Sequence, residues 1–123
     1  MAIYTEKTKK LNLVLSNSSN LVKIKVDCYN GTLASVSFNT GGIKNVHCGE
    51  NEVIGLAKNL KGNTIEFDGL ASNPGSDAIK LIHTIIEEGG KKIIYTFPND
   101  YSDVPAYNKE DLDPSYSFIV NFI

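Results

Sequence analysis

Strict alternation of apolar and polar side chains constrains this chain more than any other feature. In Leu21–Tyr29, with sequence LVKIKVDCY, apolar and charged residues alternate from the second position onward. Successive side chains of an extended strand point to opposite faces, so this segment predicts a half-buried β-strand. Asn30–Gly31 follows at once, and both residues tolerate the positive φ of a two-residue hairpin turn. Leu33–Asn39 alternates again, which predicts an antiparallel partner for the first strand.

A second hairpin is predicted around Gly89–Gly90. The flanking strands would be Ala78–Glu88 and Lys91–Phe97, and a two-residue loop places Glu88 opposite Lys91. The apolar residues on both sides of the turn then fall on both faces of the hairpin. At least one of those faces is expected to cover a core or a partner.

The rest of the chain has the same character. Further strands are predicted at Leu11–Ser16, Ile43–Cys48, Val53–Leu60, Thr64–Asp68 and Tyr116–Ile123, separated by turn residues at 41–42, 61–63 and 73–75. Val53–Leu60 also fits a one-turn helix near 54–60. About eight short strands at this spacing indicate an all-β, hairpin-rich antiparallel β-sandwich, and the 123 residues suit a single domain covering residues 1–123.

Charge and composition argue against several classes of partner. The net charge is −2, and all twelve basic residues are lysines. Nucleic-acid recognition is therefore not expected, because it needs a positive field and usually uses the arginine fork. No apolar run is long enough for a transmembrane segment or a signal peptide. We expect a cytoplasmic protein, or one exported without a cleaved signal peptide.

The two cysteines, Cys28 and Cys48, leave the redox state open. Two thiols do not make a disulfide framework, and free cysteine is a common small core residue. The favoured interpretation is two buried, reduced thiols, with a single disulfide as the alternative.

The longest irregular stretch is Pro98–Pro114, with sequence PNDYSDVPAYNKEDLDP. Long loops in compact domains often carry function. Its carboxylates could supply oxygen ligands to calcium, and the candidate ligands are Asp100, Asp103, Asp111 and Asp113. The spacing matches no EF-hand loop, and a solvated acidic connection explains the same residues. No other cofactor is predicted.

Tyrosines lie in or beside the same loop, and the chain has no tryptophan. Tyrosine offers flat amphipathic surface to a protein, a glycan or a lipid head group. The candidate ligand-binding residues are Tyr95, Tyr101, Tyr107 and Tyr116. The alternative is that these rings pack the loop onto the sandwich.

Catalytic and zinc-binding signatures are weak. His47 and Cys48 are neighbours on one predicted strand, so they point to opposite faces, and no C-x-x-C or H-x-x-x-H spacing occurs. No nucleophile elbow supports a pairing of His47 or His83 with a serine or cysteine. Glu66 and Asp68 share a strand face, as the carboxylate pair of a glycosidase-like site would require. On a half-exposed strand the same pattern is more often that of the solvated face.

Three functional hypotheses follow. The first is a non-catalytic recognition module that presents loops, chiefly 98–114, to a protein, glycan or lipid head group, with a membrane-acting toxin-type component as a variant. The second is a structural assembly subunit or homo-oligomer that uses edge-strand pairing, suggested by the apolar C-terminal strand. The third, a hydrolase, depends only on which residues are present.

Overall fold

The computed structural model describes residues 8–72, 79–97 and 115–123. These ranges form nine strands and one short helix. The elements are β1 (Lys9–Leu13), β2 (Leu21–Tyr29), β3 (Leu33–Asn39), β4 (Ile43–His47), β5 (Asn51–Leu56), α1 (Ala57–Leu60), β6 (Thr64–Ser72), β7 (Lys80–Glu87), β8 (Lys92–Phe97) and β9 (Ser115–Phe122). The all-β class is confirmed, and the strand predicted over Val53–Leu60 ends in the one-turn helix that the sequence left open.

The strands form two sheets that pack face to face as a sandwich. The five-stranded sheet has the order β1-β9-β6-β3-β4, and the four-stranded sheet has the order β5-β2-β7-β8. All pairings are antiparallel except β1 with β9, which run parallel. The C-terminal strand β9 therefore lies between β1 and β6 and is not an edge strand.

The turn after β2 forms as predicted, but the strands that it joins are not partners. Asn30 and Gly31 have φ values of 57° and 73°, and the Thr32 N–H donates to the Tyr29 carbonyl over 2.9 Å. However, β2 pairs with β5 and β7, whereas β3 pairs with β4 and β6. The turn is a corner that carries the chain from one sheet to the other, because both strands need their apolar face against the same core.

The β7–β8 hairpin forms with a different register. Glu87 and Lys91 bracket the turn, with the Glu87 N–H donating to the Lys91 carbonyl over 3.1 Å, and Gly89 takes a φ of 73°. The predicted two-residue loop with Glu88 opposite Lys91 is wrong by one residue. Directly opposed residues share a face, and the observed register places Ile85 opposite Ile93. It thereby turns Ile85, Ile93 and Tyr95 toward the core and leaves Ile82, Ile86 and Ile94 on the outer face.

The core between the sheets is centred on aromatic rings. Phe67 of β6 stacks on Phe118 of β9 with ring centroids 5.0 Å apart, and Phe38 of β3 lies 5.2 Å from Phe67. Tyr95 of the opposite sheet stacks on Phe118 at 4.4 Å. Each phenylalanine is at most 3% exposed. Full burial of such a side chain contributes about 1.5–3 kcal/mol, so these rings hold the two sheets together.

A disulfide joins Cys28 to Cys48, which corrects the expectation of two reduced thiols. Cys28 is in β2 of the four-stranded sheet, and Cys48 follows β4 of the five-stranded sheet, with the two Cα atoms 5.6 Å apart. That separation is typical of disulfides. Both cysteines are half-buried against the core. The bond therefore links the two sheets covalently beside the corner at Asn30.

Candidate functional site

The structure places the predicted ligand-binding tyrosines in two groups. Tyr95 and Tyr116 are in the core, 2% and 5% exposed, which corresponds to the packing alternative and gives them no surface to offer a ligand. Tyr101 and Tyr107 lie outside the described residues. The four candidate calcium ligands, Asp100, Asp103, Asp111 and Asp113, lie outside them too, so calcium binding at the 98–114 loop stays a prediction.

His83 is the polar centre of the buried aromatic cluster. Its Nδ1 lies 3.0 Å from the Tyr95 carbonyl oxygen, and its Nε2 lies 2.5 Å from the Tyr116 hydroxyl. A carbonyl only accepts hydrogen bonds, so Nδ1 carries the proton and the Tyr116 hydroxyl donates to Nε2. Burial lowers the pKa of His83 to about 4, and the hydrogen bond to Tyr95 partly offsets this effect. The imidazole is therefore a neutral structural group at physiological pH.

The Tyr116 side chain lies over Gly69 of the neighbouring strand β6, where no side chain blocks its hydrogen bond to His83. Gly69 of β6 lies directly opposite Tyr116 of β9, and a Cβ atom added at Gly69 would overlap the tyrosine ring. The ring also stacks on Phe97 at 4.2 Å. Glycine at position 69 is therefore required by the close approach of Tyr116.

Glu87 is a second buried polar group, 3% exposed. Its carboxylate accepts hydrogen bonds from the Ser16 hydroxyl at 2.6 Å, the Ser16 N–H at 2.7 Å and the Asn20 side-chain amide at 2.9 Å. These hydrogen bonds lower the pKa of Glu87, and the bond from the Ser16 hydroxyl has the largest effect. Burial acts in the opposite direction and raises the pKa. Through these hydrogen bonds the Glu87 carboxylate holds the 14–20 connection against the end of β7, so the role of Glu87 is structural.

Neither histidine lies beside a nucleophile in a cleft of the described residues. His47 is exposed and bonds to the Glu50 carboxylate at 2.9 Å, while His83 is fully enclosed. Both cysteines are in the disulfide. No group of three or more histidine, cysteine, aspartate or glutamate side chains converges within the same residues. The His-dependent hydrolase hypothesis therefore gains no geometric support from this part of the chain.

A groove opens where the two sheets meet at one end of the sandwich, with a volume of about 470 Å³. We call it the amide–hydroxyl groove. Its polar lining is Asn39, Thr40, Asn59, Asn63 and Thr64, and its apolar lining includes Ile54, Leu56, Leu60 and Ile65.

Local structure explains how these residues meet. Asn39 ends β3, and Gly41, at a φ of 84°, turns the chain back into β4. On the other side, α1 buries Leu60 and leaves Asn59 exposed. Gly62, at a φ of 88°, then starts the turn into β6. The two sides of the groove thus supply two facing rims of amide and hydroxyl groups, at 39–40 and 59–64.

Thr40 is the unusual member of the groove lining. Its Oγ1 atom is buried and has no hydrogen-bond partner among the described residues. Leaving a hydroxyl in this state costs about 1–3 kcal/mol, so such groups require a specific explanation. By contrast, the Thr64 hydroxyl donates to the Asn121 side chain at 2.8 Å, and the Asn63 amide donates to the Asn59 carbonyl at 2.9 Å.

The groove continues onto the outer face of the five-stranded sheet. A second depression of about 300 Å³ shares Asn39, Thr64 and Ile65 with it and extends to Glu66 and Asp68. Among the described residues, the lining of the amide–hydroxyl groove includes no ionisable side chain, whereas that of the second depression includes the carboxylates of Glu66 and Asp68. The two carboxylates that the sequence assigned to a solvated surface are exposed, and they border this depression.

Sequence reasoning assigned the groove residues to turns and strand ends and saw no site in them. The available signal was a concentration of asparagine, threonine and glycine at 39–42 and 59–64. Those residue types are equally typical of ordinary turns. Only the fold shows that the two clusters face each other.

Comparison with known protein families, with curated proteins and with solved structures returns no match to this chain. Within the residues described, no helix has the length and apolar character needed to cross a bilayer.

Proposed function

We propose that this chain is a non-catalytic recognition module that binds a neutral glycan in the amide–hydroxyl groove. The observation that carries the proposal is a concave site whose described lining has amides and hydroxyls but no charge, and one of these lining residues, Thr40, also has a buried hydroxyl without a described partner. A site of this volume, with an apolar floor and a few convergent polar groups, is typical of small-molecule recognition.

The chemistry of the groove matches that of a sugar ring. Each sugar hydroxyl can donate and accept, and the side-chain amides of Asn39 and Asn59 do the same while exposed to solvent. The C–H faces of a pyranose need apolar contact, which the half-buried Leu56 can supply in place of a stacking aromatic ring, whereas Ile54, Leu60 and Ile65 are themselves buried. A charged ligand would gain no charge-assisted contact in the first part of the groove, because none of the described residues that line it is ionisable.

The carboxylates at the extension refine the proposal. Asp68 is exposed and accepts from the Ser117 hydroxyl at 2.7 Å. Its remaining acceptor capacity and that of Glu66 suit the hydroxyl donors of a second sugar residue. An oligosaccharide that spans both depressions is therefore favoured over a monosaccharide, and an acidic one is disfavoured.

The test is a screen on an array of immobilised neutral and acidic glycans, followed by calorimetric titration of any hit. We expect Asn39→Ala and Thr40→Val each to weaken binding at least fivefold, which is the size of a typical hydrogen-bond contribution of about 1 kcal/mol. Asn51→Ala and Thr84→Val are matched controls in the four-stranded sheet and should bind as the wild type does.

Thr40→Val has a second readout that separates a binding role from a structural one. Removing a buried hydroxyl without a partner should leave the free energy of unfolding unchanged or raise it. Weaker binding together with unchanged or greater stability supports the proposal. Unaltered binding in both groove variants, or an absence of binding to every glycan, would contradict it.

A further inference from the structure

The outer face of the four-stranded sheet combines lysines with isoleucines. Residues at directly opposed positions share a face, so Lys23 and Ile86 lie side by side, as do Ile86 and Lys92. We call this surface the lysine–isoleucine face. Its members are Lys23, Lys25, Lys80 and Lys92 together with Ile82, Ile86 and Ile94.

The three isoleucines make an apolar strip on this face. Ile82 and Ile86 of the inner strand β7 are half-buried, whereas Ile94 of the edge strand β8 is 52% exposed. Thr84 lies between them, opposite Ile94. An outward row of β-branched side chains is not needed for the core, which lies on the other side of the sheet.

The lysines surround the strip and exceed the nearby carboxylates. Lys23 bonds to Glu88 at 2.6 Å, and Lys25 lies 3.6 Å from Asp27. Lys80 stands over the ring of Tyr29, 5.3 Å from its centroid. The described residues of this face therefore combine four lysines with two carboxylates, in a chain whose net charge is −2. The described part of this face thus carries a net positive charge.

We infer that the lysine–isoleucine face docks on an anionic lipid bilayer. Charge complementarity supports a negatively charged partner, because lysine ammonium groups are attracted to phosphate-bearing surfaces. Lysine is depleted at protein–protein interfaces, where arginine and large aromatic residues are enriched, and this face has no arginine. The apolar strip with lysine stems along it matches the depth profile of a lipid interface, where lysine side chains extend toward the head groups.

The predicted attachment is weak and reversible. Each lysine near an anionic surface strengthens binding by about fivefold, and the effect decays within a Debye length. A net excess of two lysines and one exposed isoleucine cannot anchor the protein permanently. The amide–hydroxyl groove extends onto the outer face of the other sheet, so membrane attachment and glycan binding use opposite sides of the sandwich.

The test is flotation of the full chain with vesicles of phosphatidylcholine alone or of phosphatidylcholine with phosphatidylserine. We expect binding only to the anionic vesicles, and weaker binding as the salt concentration rises. The double variant Lys80→Gln and Lys92→Gln should lower the partition coefficient roughly 25-fold, because two lysine contributions are removed. Its control is Lys10→Gln with Lys58→Gln, which removes two exposed lysines outside the face.

A third variant, Ile94→Ser, tests the apolar part and should also reduce partitioning while leaving the circular dichroism spectrum unchanged. Glycerophosphoserine, a soluble head group, should not compete, since the face is proposed to bind a surface and not a single phosphate. The inference is overturned if both vesicle types bind equally or neither binds, or if the control double variant loses as much as the test variant. It is also overturned if sedimentation shows that a second copy of the chain covers this face.

Discussion

Loss of the Cys28–Cys48 bond should cost a large part of the stability of this domain. The bond closes a loop with a sequence separation of 20 residues. For a loop of that length, the chain-entropy relation gives a stabilisation of about 3 kcal/mol, because the cross-link removes conformations from the unfolded chain. Domains of this size are stable by only about 5–15 kcal/mol in total.

The assay is urea denaturation followed by circular dichroism, on the oxidised protein, on the protein with its disulfide reduced, and on the double variant Cys28→Ser and Cys48→Ser. The reduced protein and the variant should both unfold with a free energy lower by about 3 kcal/mol, and with a melting temperature lower by about 10 °C. Agreement between the two assigns the loss to the cross-link and not to the new hydroxyls. Unfolding of the reduced and oxidised chains at the same urea concentration would show that the disulfide does not stabilise the fold.

The same bond bears on where the protein works. Disulfides persist in oxidising environments and are rare in the cytosol of most organisms. We therefore propose the exported alternative over the cytoplasmic one. Thiol quantification on protein taken directly from its native source should find both cysteines oxidised, and two free thiols per chain would oppose this inference.

Three further predictions concern buried groups. Burial lowers the pKa of His83 from 6.5 to about 4, so the neutral imidazole stabilises the fold above pH 6.5 and this stabilisation falls by up to about 3 kcal/mol as the pH drops toward 4. Urea unfolding measured across this pH range should lose that dependence in His83→Gln, and an identical pH profile in the variant would refute the prediction. Gly69→Ala should destabilise the fold by about 1–3 kcal/mol in thermal melts, because the new Cβ atom overlaps the Tyr116 ring. The control is Gly42→Ala, whose Cβ atom has no other atom within 4 Å and should leave the stability unchanged. The pKa of Glu87 is lowered in the fold, so its carboxylate stabilises the protein above its ordinary pKa of 4.5 and loses this effect at lower pH. The melting temperature of Glu87→Gln should lie below that of the wild type at neutral pH and approach it in acid. A difference in melting temperature that does not change with pH would contradict this prediction.

The alternation of side chains was enough to predict the strands but not their partners. The bounds of β2 and β3 agree with the sequence pattern, because burial on one face imposes a period of two residues. The pattern cannot distinguish a hairpin within one sheet from a corner between two sheets, since the inward residues are the same in both. The turn at Asn30–Gly31 was therefore predicted correctly and the pairing of the strands it joins was not.

Register and cross-linking depend on geometry that a linear pattern lacks. A two-residue loop at Gly89–Gly90 was predicted because it places the opposite charges of Glu88 and Lys91 across from each other. The turn has one more residue, and this register places Ile85 opposite Ile93 on the core side of the hairpin. In the folded chain Glu88 pairs with Lys23 instead. The disulfide could have been suspected, since Cys28 and Cys48 both fall on the inward side of their strands, but their proximity follows only from the way the sheets pack.

The candidate site was the least predictable part. Its residues come from three segments that meet only at the end of the sandwich, and each segment alone has the composition of a turn. The 98–114 loop, which drew attention through its tyrosines and aspartates, lies outside the described residues. Of the four candidate tyrosines, Tyr95 and Tyr116 are described and are buried in the core, where the Tyr116 hydroxyl donates a hydrogen bond to His83.

The most direct test of glycan recognition at the groove is a titration followed by nuclear magnetic resonance, with the backbone amides assigned and an oligosaccharide hit from the array as the ligand. Glycan binding at the groove predicts saturable shift changes in the amides of the two rims, around Asn39–Thr40 and Asn59–Thr64, and of the extension at Glu66–Asp68. The outer face of the four-stranded sheet should be unaffected. Shift changes that cluster elsewhere while the rim amides stay unchanged would contradict this prediction.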